Sequence, residues 1–150
     1  MFSLKSAKTR NEAHCLLKDV GVNFINQQHL RLASYAVEFN QIVEDLSKKE
    51  PTNKDWHRID ALFSRVTRYV QTHFREEEEL MQEHGYPYFD AHKQLHDKFV
   101  NDLIKIQSKI NNRKVAFKEK FGTMLWDWLI HHINVEDYKY REFFREKGLK

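Results

Sequence analysis

The sequence predicts an all-α protein, an up-down-up-down antiparallel four-helix bundle behind an irregular N-terminal arm. Three observations carry this. Only four Gly and two Pro stand among 150 residues, too few for the turns that many short strands need. Four long stretches repeat apolar residues at steps of three and four. The connections between them are short, which makes neighbouring helices antiparallel. The composition, 41% hydrophobic and 31% charged, is that of one soluble globular domain covering residues 1–150, with an arm over 1–22 and a bundle over 23–147.

The first helix is expected from about Asn26 to Lys48, with His29, Leu32, Ala33, Ala36, Phe39, Val43 and Leu46 on its inner face, and Pro51 ends it. Thr52 or Asn53 caps the second, and Asp55 suits its first turn. Its inner face reads Ile59, Leu62, Phe63, Val66, Val70, His73, Glu77, Leu80 and Met81, and it stops at His84-Gly85 with Pro87 beyond. The third begins near Tyr88, carries His92, His96, Phe99, Leu103, Ile106 and Ile110, and ends at Asn111-Asn112. The fourth starts near Lys114, carries Phe121, Leu125, Trp128, His132 and Val135 inward, and runs to about Glu146.

Several function classes are excluded or disfavoured. A formal net charge of +3, without a basic stripe interleaved with aromatics, argues against nucleic acid. No window approaches the roughly twenty apolar residues of a membrane span, and the N-terminus lacks an apolar export core. Cys15 is the only cysteine, so neither a disulfide framework nor a thiolate metal site is expected. A cytoplasmic protein is the simplest reading.

The informative feature is the set His29, His73, Glu77, His92, His96, His132 and Asp137. Residues four apart on a helix lie about 40° apart in azimuth, so His73 with Glu77, and His92 with His96, share a face. The flanking apolar residues make that face the inner one. Five imidazoles and two carboxylates with no thiolate suit iron, manganese or zinc, and seven donors exceed the need of one ion. Buried without partners they would be costly, roughly 1–3 kcal/mol each. Bound cations resolve that cost. His132 and Asp137, five apart, are the exception, lying about 140° apart on a regular helix. Either Asp137 reaches round from the flank or the helix is locally overwound or underwound, and a single π-type turn would align them.

The other polar groups have plainer expectations. Glu76, Glu78 and Glu79 read as a solvated face, and His14, His57, His84 and His131 lie off the stripe. No further titratable group is expected on the inner stripes near the ligands, although Tyr35, Tyr69 and Tyr138 lie close in register.

At these motifs the chain resembles the hemerythrin family, in particular its single-domain bacterial members. The resemblance runs from Val20 to Phe143 through INQQH (Ile25–His29), HFREEEELM (His73–Met81), the turn Gly85–Pro87, HKQLH (His92–His96) and WLIHHINVED (Trp128–Asp137). It implies a hemerythrin-like bundle around two non-haem iron ions joined by an oxo or hydroxo bridge. His92, His96 and His132 would hold one iron and His29 and His73 the other, with Glu77 and Asp137 bridging both. Counting donors then leaves one position open, on the two-histidine iron, where dioxygen could bind for storage, delivery or buffering. The protein would then be no enzyme. Leu129 is the first candidate to line the oxygen pocket, followed by Trp128, Leu32, Phe74, Ile25 and Phe24. The family commonly carries Asp three residues before the first histidine ligand. Here Asn26 stands there, as an uncharged group expected to orient His29. The alternatives are an oxygen or redox sensor acting through an unknown protein partner, with the basic arm Lys5–Lys18 as its handle, and a di-iron redox enzyme turning over peroxide or nitric oxide.

Overall fold

A computed structural model describes residues 10–46, 48–113 and 118–150. The first half of the arm and the expected helix start at Lys114 lie outside the described residues. The elements are α1 (Arg10–Leu16), α2 (Asn23–Leu46), α3 (Asn53–Glu83), α4 (Phe89–Asn111) and α5 (Lys118–His131). A π-helical turn (His132–Glu136), a 3-10 turn (Asp137–Tyr140) and α6 (Arg141–Glu146) continue the fourth rod. α2 packs on α3 and α5, and α3 packs on α4, which closes an antiparallel four-helix bundle. There is no strand among the described residues. Among the described residues, no helix is long and apolar enough to cross a membrane.

Local chemistry sets the ends. Thr52 caps α3 reciprocally: Asp55 N–H donates to Thr52 Oγ1 (3.2 Å) and Thr52 N–H donates to Asp55 Oδ2 (2.9 Å). At the other end Gly85, with φ 70°, takes the left-handed conformation. This lets Tyr86 N–H donate to Met81 O (2.9 Å) and Gly85 N–H to Gln82 O (3.2 Å), capping the last carbonyls. Helix α2 starts at Asn23, three residues earlier than periodicity suggests, because Val22 and Ile25 are buried and anchor the extra turn.

The core runs the length of the bundle, from Ile42, Ile59 and Ile110 at one end to Tyr86, Tyr140 and Phe144 at the other. The arm departs from the irregular expectation. It contains α1, and its last residues, Val20 and Val22, are buried. Val135, expected inward, is 42% exposed. The π turn lies between it and His132 and rotates it outward.

The Thr52 cap gives a simple test. Thr52→Ala should lower unfolding free energy by about 1 kcal/mol in a denaturant titration. An unchanged midpoint would mean that the two bonds add nothing net.

Candidate metal centre

All seven singled-out donors are buried, each 3% exposed or less, at one level of the bundle. His29 comes from α2, His73 and Glu77 from α3, His92 and His96 from α4, and His132 and Asp137 from the fourth rod. Asp137 reaches the interior because its N–H donates to His132 O, the five-residue bond of a π turn. That bond supplies the alignment that a regular helix would deny.

The carboxylate oxygens divide the donors into two groups. Glu77 turns Oε1 toward His92 Nε2 (2.9 Å) and His96 Nε2 (3.2 Å). It turns Oε2 toward His73 Nε2 (3.3 Å) and His29 Nε2 (3.8 Å). Asp137 turns Oδ1 toward His92 Nε2 (2.9 Å) and His132 Nε2 (3.1 Å), and Oδ2 toward His29 Nε2 (3.0 Å). One group is therefore His92, His96 and His132, the other His29 and His73. Both carboxylates belong to each, and within each group the donor atoms lie within 4.8 Å of one another.

This arrangement fits a pair of cations. His29 Nδ1 and Nε2 and both Asp137 oxygens are buried with no hydrogen-bond partner, although His29 Nε2 and Asp137 Oδ2 are only 3.0 Å apart. The atoms are close, but no N–H points along the line. His96 Nε2 and His132 Nε2 also face each other at 3.0 Å. Two nitrogens each about 2.1 Å from one ion, at a right angle, are separated by about 3.0 Å.

Without a metal the centre is held by charge. Burial alone lowers the proton affinity of His29, but Asp137 and Glu77 outweigh it and hold the imidazole at about 9. The same competition raises His92 to about 10. His96 is also raised, its burial offset by Glu77 and Glu78, whereas burial leaves His132 lowered. Burial favours the neutral form of both carboxyls, and Asp137 is also opposed by Glu77, yet the facing imidazoles keep both acids ionised below their ordinary range.

A second layer was missed in the sequence. His73 Nδ1–H donates to Gln28 Oε1 (2.6 Å), which leaves Nε2 free as a lone-pair donor. Gln28 Nε2 donates in turn to Glu76. His96 Nδ1–H donates to Glu78 Oε2 (2.8 Å), and Lys93 lies 3.5 Å from Glu78 Oε1. Glu76 and Glu78 are therefore not merely solvated. Their signal was adjacency to Glu77, on the flank of the inner stripe. Tyr140, fully buried, donates from its hydroxyl to Glu77 Oε2 (3.0 Å). The inner stripe thus does hold a titratable group beyond the ligands. A 3-10 turn eclipses residues three apart, so Tyr140 follows Asp137 onto the inner face. Burial, reinforced by the Asp137 and Glu77 charges, raises its hydroxyl well above the ordinary 10.

The expected pocket residues separate. Leu129, Ile25 and Leu32 are buried in the core. The Phe74 ring stacks on His96 (centroids 3.7 Å, 3°) and Trp128 on His132 (4.4 Å, 10°), so both brace the three-histidine group. Phe24 is 44% exposed and faces outward, because its neighbour Ile25 takes the inner position. Asn26 does not orient His29. Its side chain accepts from Val20 N–H (3.0 Å) and donates to Asp19 (2.8 Å), tying α2 to the arm. Of the tyrosines close in register, Tyr35 and Tyr69 pack edge-on against each other (5.7 Å), and Tyr138 is 39% exposed.

Known proteins are similar to this chain. Residues 20–143 match the family model described as the hemerythrin HHE cation binding domain. The chain is similar to a bacteriohemerythrin of Stenotrophomonas maltophilia, 29% identical over 126 residues, covering 83% of this chain and 75% of that protein. A bacteriohemerythrin of Pseudomonas paraeruginosa is 27% identical over 136 residues, covering 89% and 83%. The crystal structure of wild-type hemerythrin superposes with a TM-score of 0.65 at 27% identity, covering 82% of this chain and 88% of that one.

The charge arrangement sets a pH signature. His29 and His92 stabilise the metal-free fold fully below their ordinary 6.5 and lose that contribution as pH rises through about 9 and about 10. The lowered carboxylates contribute above their ordinary range and lose that contribution on acidification. The metal-free melting temperature should therefore fall from roughly pH 6.5 to 10. Metal needs unprotonated imidazole, so the melting-temperature gap between loaded and metal-free protein should widen over the same range. A gap independent of pH, measured by calorimetry, would contradict ligation by these histidines.

Proposed function

The chain belongs to the hemerythrin family, and from that premise we propose that it binds dioxygen reversibly at a non-haem di-iron site, for storage, delivery or buffering. The observation that carries this is the unequal division of donors, three imidazoles against two, with both carboxylates common to the two groups. His92, His96 and His132 would hold one iron and His29 and His73 the other, with Glu77 and Asp137 common to both groups. When bound, the iron pair would supply the electrons and the coordination position that dioxygen requires.

The protein's own groups set the conditions. Gln28 and Glu78 fix the tautomers of His73 and His96, so their Nε2 lone pairs point inward. Phe74 and Trp128 clamp the rings of His96 and His132. Leu129, Ile25 and Leu32 form the apolar surround that excludes water and slows loss of the ferrous state. Tyr140 keeps its proton at neutral pH and acts as a fixed hydrogen-bond donor to Glu77, which favours binding over acid–base turnover. This reading makes the protein a carrier or buffer rather than an enzyme.

Anaerobic loading with ferrous ion, oxygen titration and an inert-gas purge test the reading directly. A visible charge-transfer band should appear with oxygen and vanish on purging. Irreversible decay, or oxygen consumption without a band, would overturn reversible binding. His73→Ala should remove most of the oxygen-dependent band, whereas a normal spectrum would refute the two-histidine assignment. Leu129→Ser should keep iron near two per chain and speed autoxidation. An unchanged rate would show that Leu129 does not guard the pocket.

A further inference from the structure

A recess of about 260 Å³ opens beside the two-histidine end. Leu17, Lys18 and Asp19 from the arm and Asn26 and Leu30 from α2 line it, with His29 at its inner end. His29 is only 1% exposed, and neither of its ring nitrogens has a hydrogen-bond partner. The recess therefore stops just short of an unpartnered donor of the proposed site.

The segment forming its outer wall is hydrogen-bonded at its two ends, and between them Leu17 packs partly buried against the core. Its base is firm. Val20 is fully buried, its N–H donates to Asn26 Oδ1 (3.0 Å), and Asp19 Oδ1 accepts from Asn26 Nδ2 (2.8 Å) and Gly21 N–H (2.7 Å). Gly21 has φ +87°, and a Cβ there would meet Arg141 Cγ at 3.0 Å. The other fastening is one side chain. Asn134 accepts from Lys18 N–H through Oδ1 (2.8 Å) and donates from Nδ2 to Leu16 O (2.9 Å). Both bonds are exposed to solvent, and the Lys18 ammonium rests 4.6 Å from the Tyr138 ring centre. Exposed bonds spanning a segment with few buried contacts open at low free energy.

We propose that residues 16–19 form a strap gating the entrance for small neutral or anionic ligands to the His29 end, and that Asn134 is its latch. The inference rests on the metal reading above. Asn134 belongs to the same π turn that aligns Asp137 with His132, so the latch stands on the backbone that builds the centre. Opening the latch frees 16–19 from the fourth rod while the base at Val20 stays in place. The gate controls passage and does not contact the ligand at its destination. A latch variant therefore changes entry and exit by the same factor and leaves affinity unchanged.

The test uses iron-loaded protein with azide as the small-anion probe, followed by stopped flow. Asn134→Ala should raise azide association and dissociation rates together, roughly tenfold, as expected when two modest hydrogen bonds are lost. The dissociation constant should stay within about twofold. Amide exchange at Lys18, read by mass spectrometry or NMR, should accelerate alongside. Gly21→Ala displaces the strap from its other end without altering the π turn, and should shift both rates the same way. Unchanged rates in both variants would overturn the gate. So would a changed dissociation constant with an unchanged association rate, because Asn134 would then act only through Asp137. A wild-type chain that takes up no iron would overturn the metal reading, and the gate with it, whereas normal iron with unaltered rates removes the gate alone.

Discussion

Seven ionisable side chains confined to one dry layer of the bundle are the constraint on which the rest of the structure depends. Two carboxylates and five imidazoles lie there at 3% exposure or less. A lone buried charge is prohibitively costly, so each must face an opposite charge or a cation. The answer is positional. Each carboxylate aims one oxygen at each histidine group, so no oxygen faces its neighbour alone. That requires four rods to deliver donors to the same height. The long core on either side, from Ile59 and Phe63 to Phe144, supplies the rigidity to do so.

The most demanding delivery is made by the fourth rod. It brings both His132 and Asp137 inward, and regular helical geometry refuses that spacing. The π turn widens the helix by one residue, and the following 3-10 turn tightens it again. This pair of deviations moves Val135 out, Asp137 in, and Tyr140 in behind it, where its hydroxyl meets Glu77. A π turn is weak on its own, because it disrupts the backbone ladder. Here its exposed side is bound by the arm through Asn134. The arm and the metal centre are thus two faces of one local irregularity.

The helices and the seven donors were legible in the sequence because both depend on periodicity and on residue types that are rare in a core. Even the π turn could be inferred, since a five-residue spacing conflicted with a shared face. What was not legible depended on contacts between helices. Gln28 and Glu78 sit beside ligands, but their role follows from where His73 and His96 arrive on other helices. Asn26 looked like a partner for His29 from its spacing, yet the arm competes for its side chain and wins. Tyr140 was invisible because its orientation accumulates two successive departures from 3.6 residues per turn. Phe74 and Trp128 were recognisable as apolar neighbours, while the end of the site they brace is a tertiary fact.

The charge distribution also explains how such a centre can fold before a metal arrives. Three imidazoles, His29, His92 and His96, are held in the protonated direction by the carboxylates, while His132 is pushed toward neutrality. Protons therefore occupy the electrostatic role of the cations and balance Glu77 and Asp137 in the metal-free layer. The positive charge arrives where ions would place it, between the histidine nitrogens and the carboxylate oxygens. Metal binding at these histidines would release those protons. The tautomers are already set for metal at His73 and His96, whose outer nitrogens are committed to Gln28 and Glu78. The outer nitrogen of His29 is buried without such a partner. His29 also lines the recess beneath the arm, where the proposed entrance meets the site.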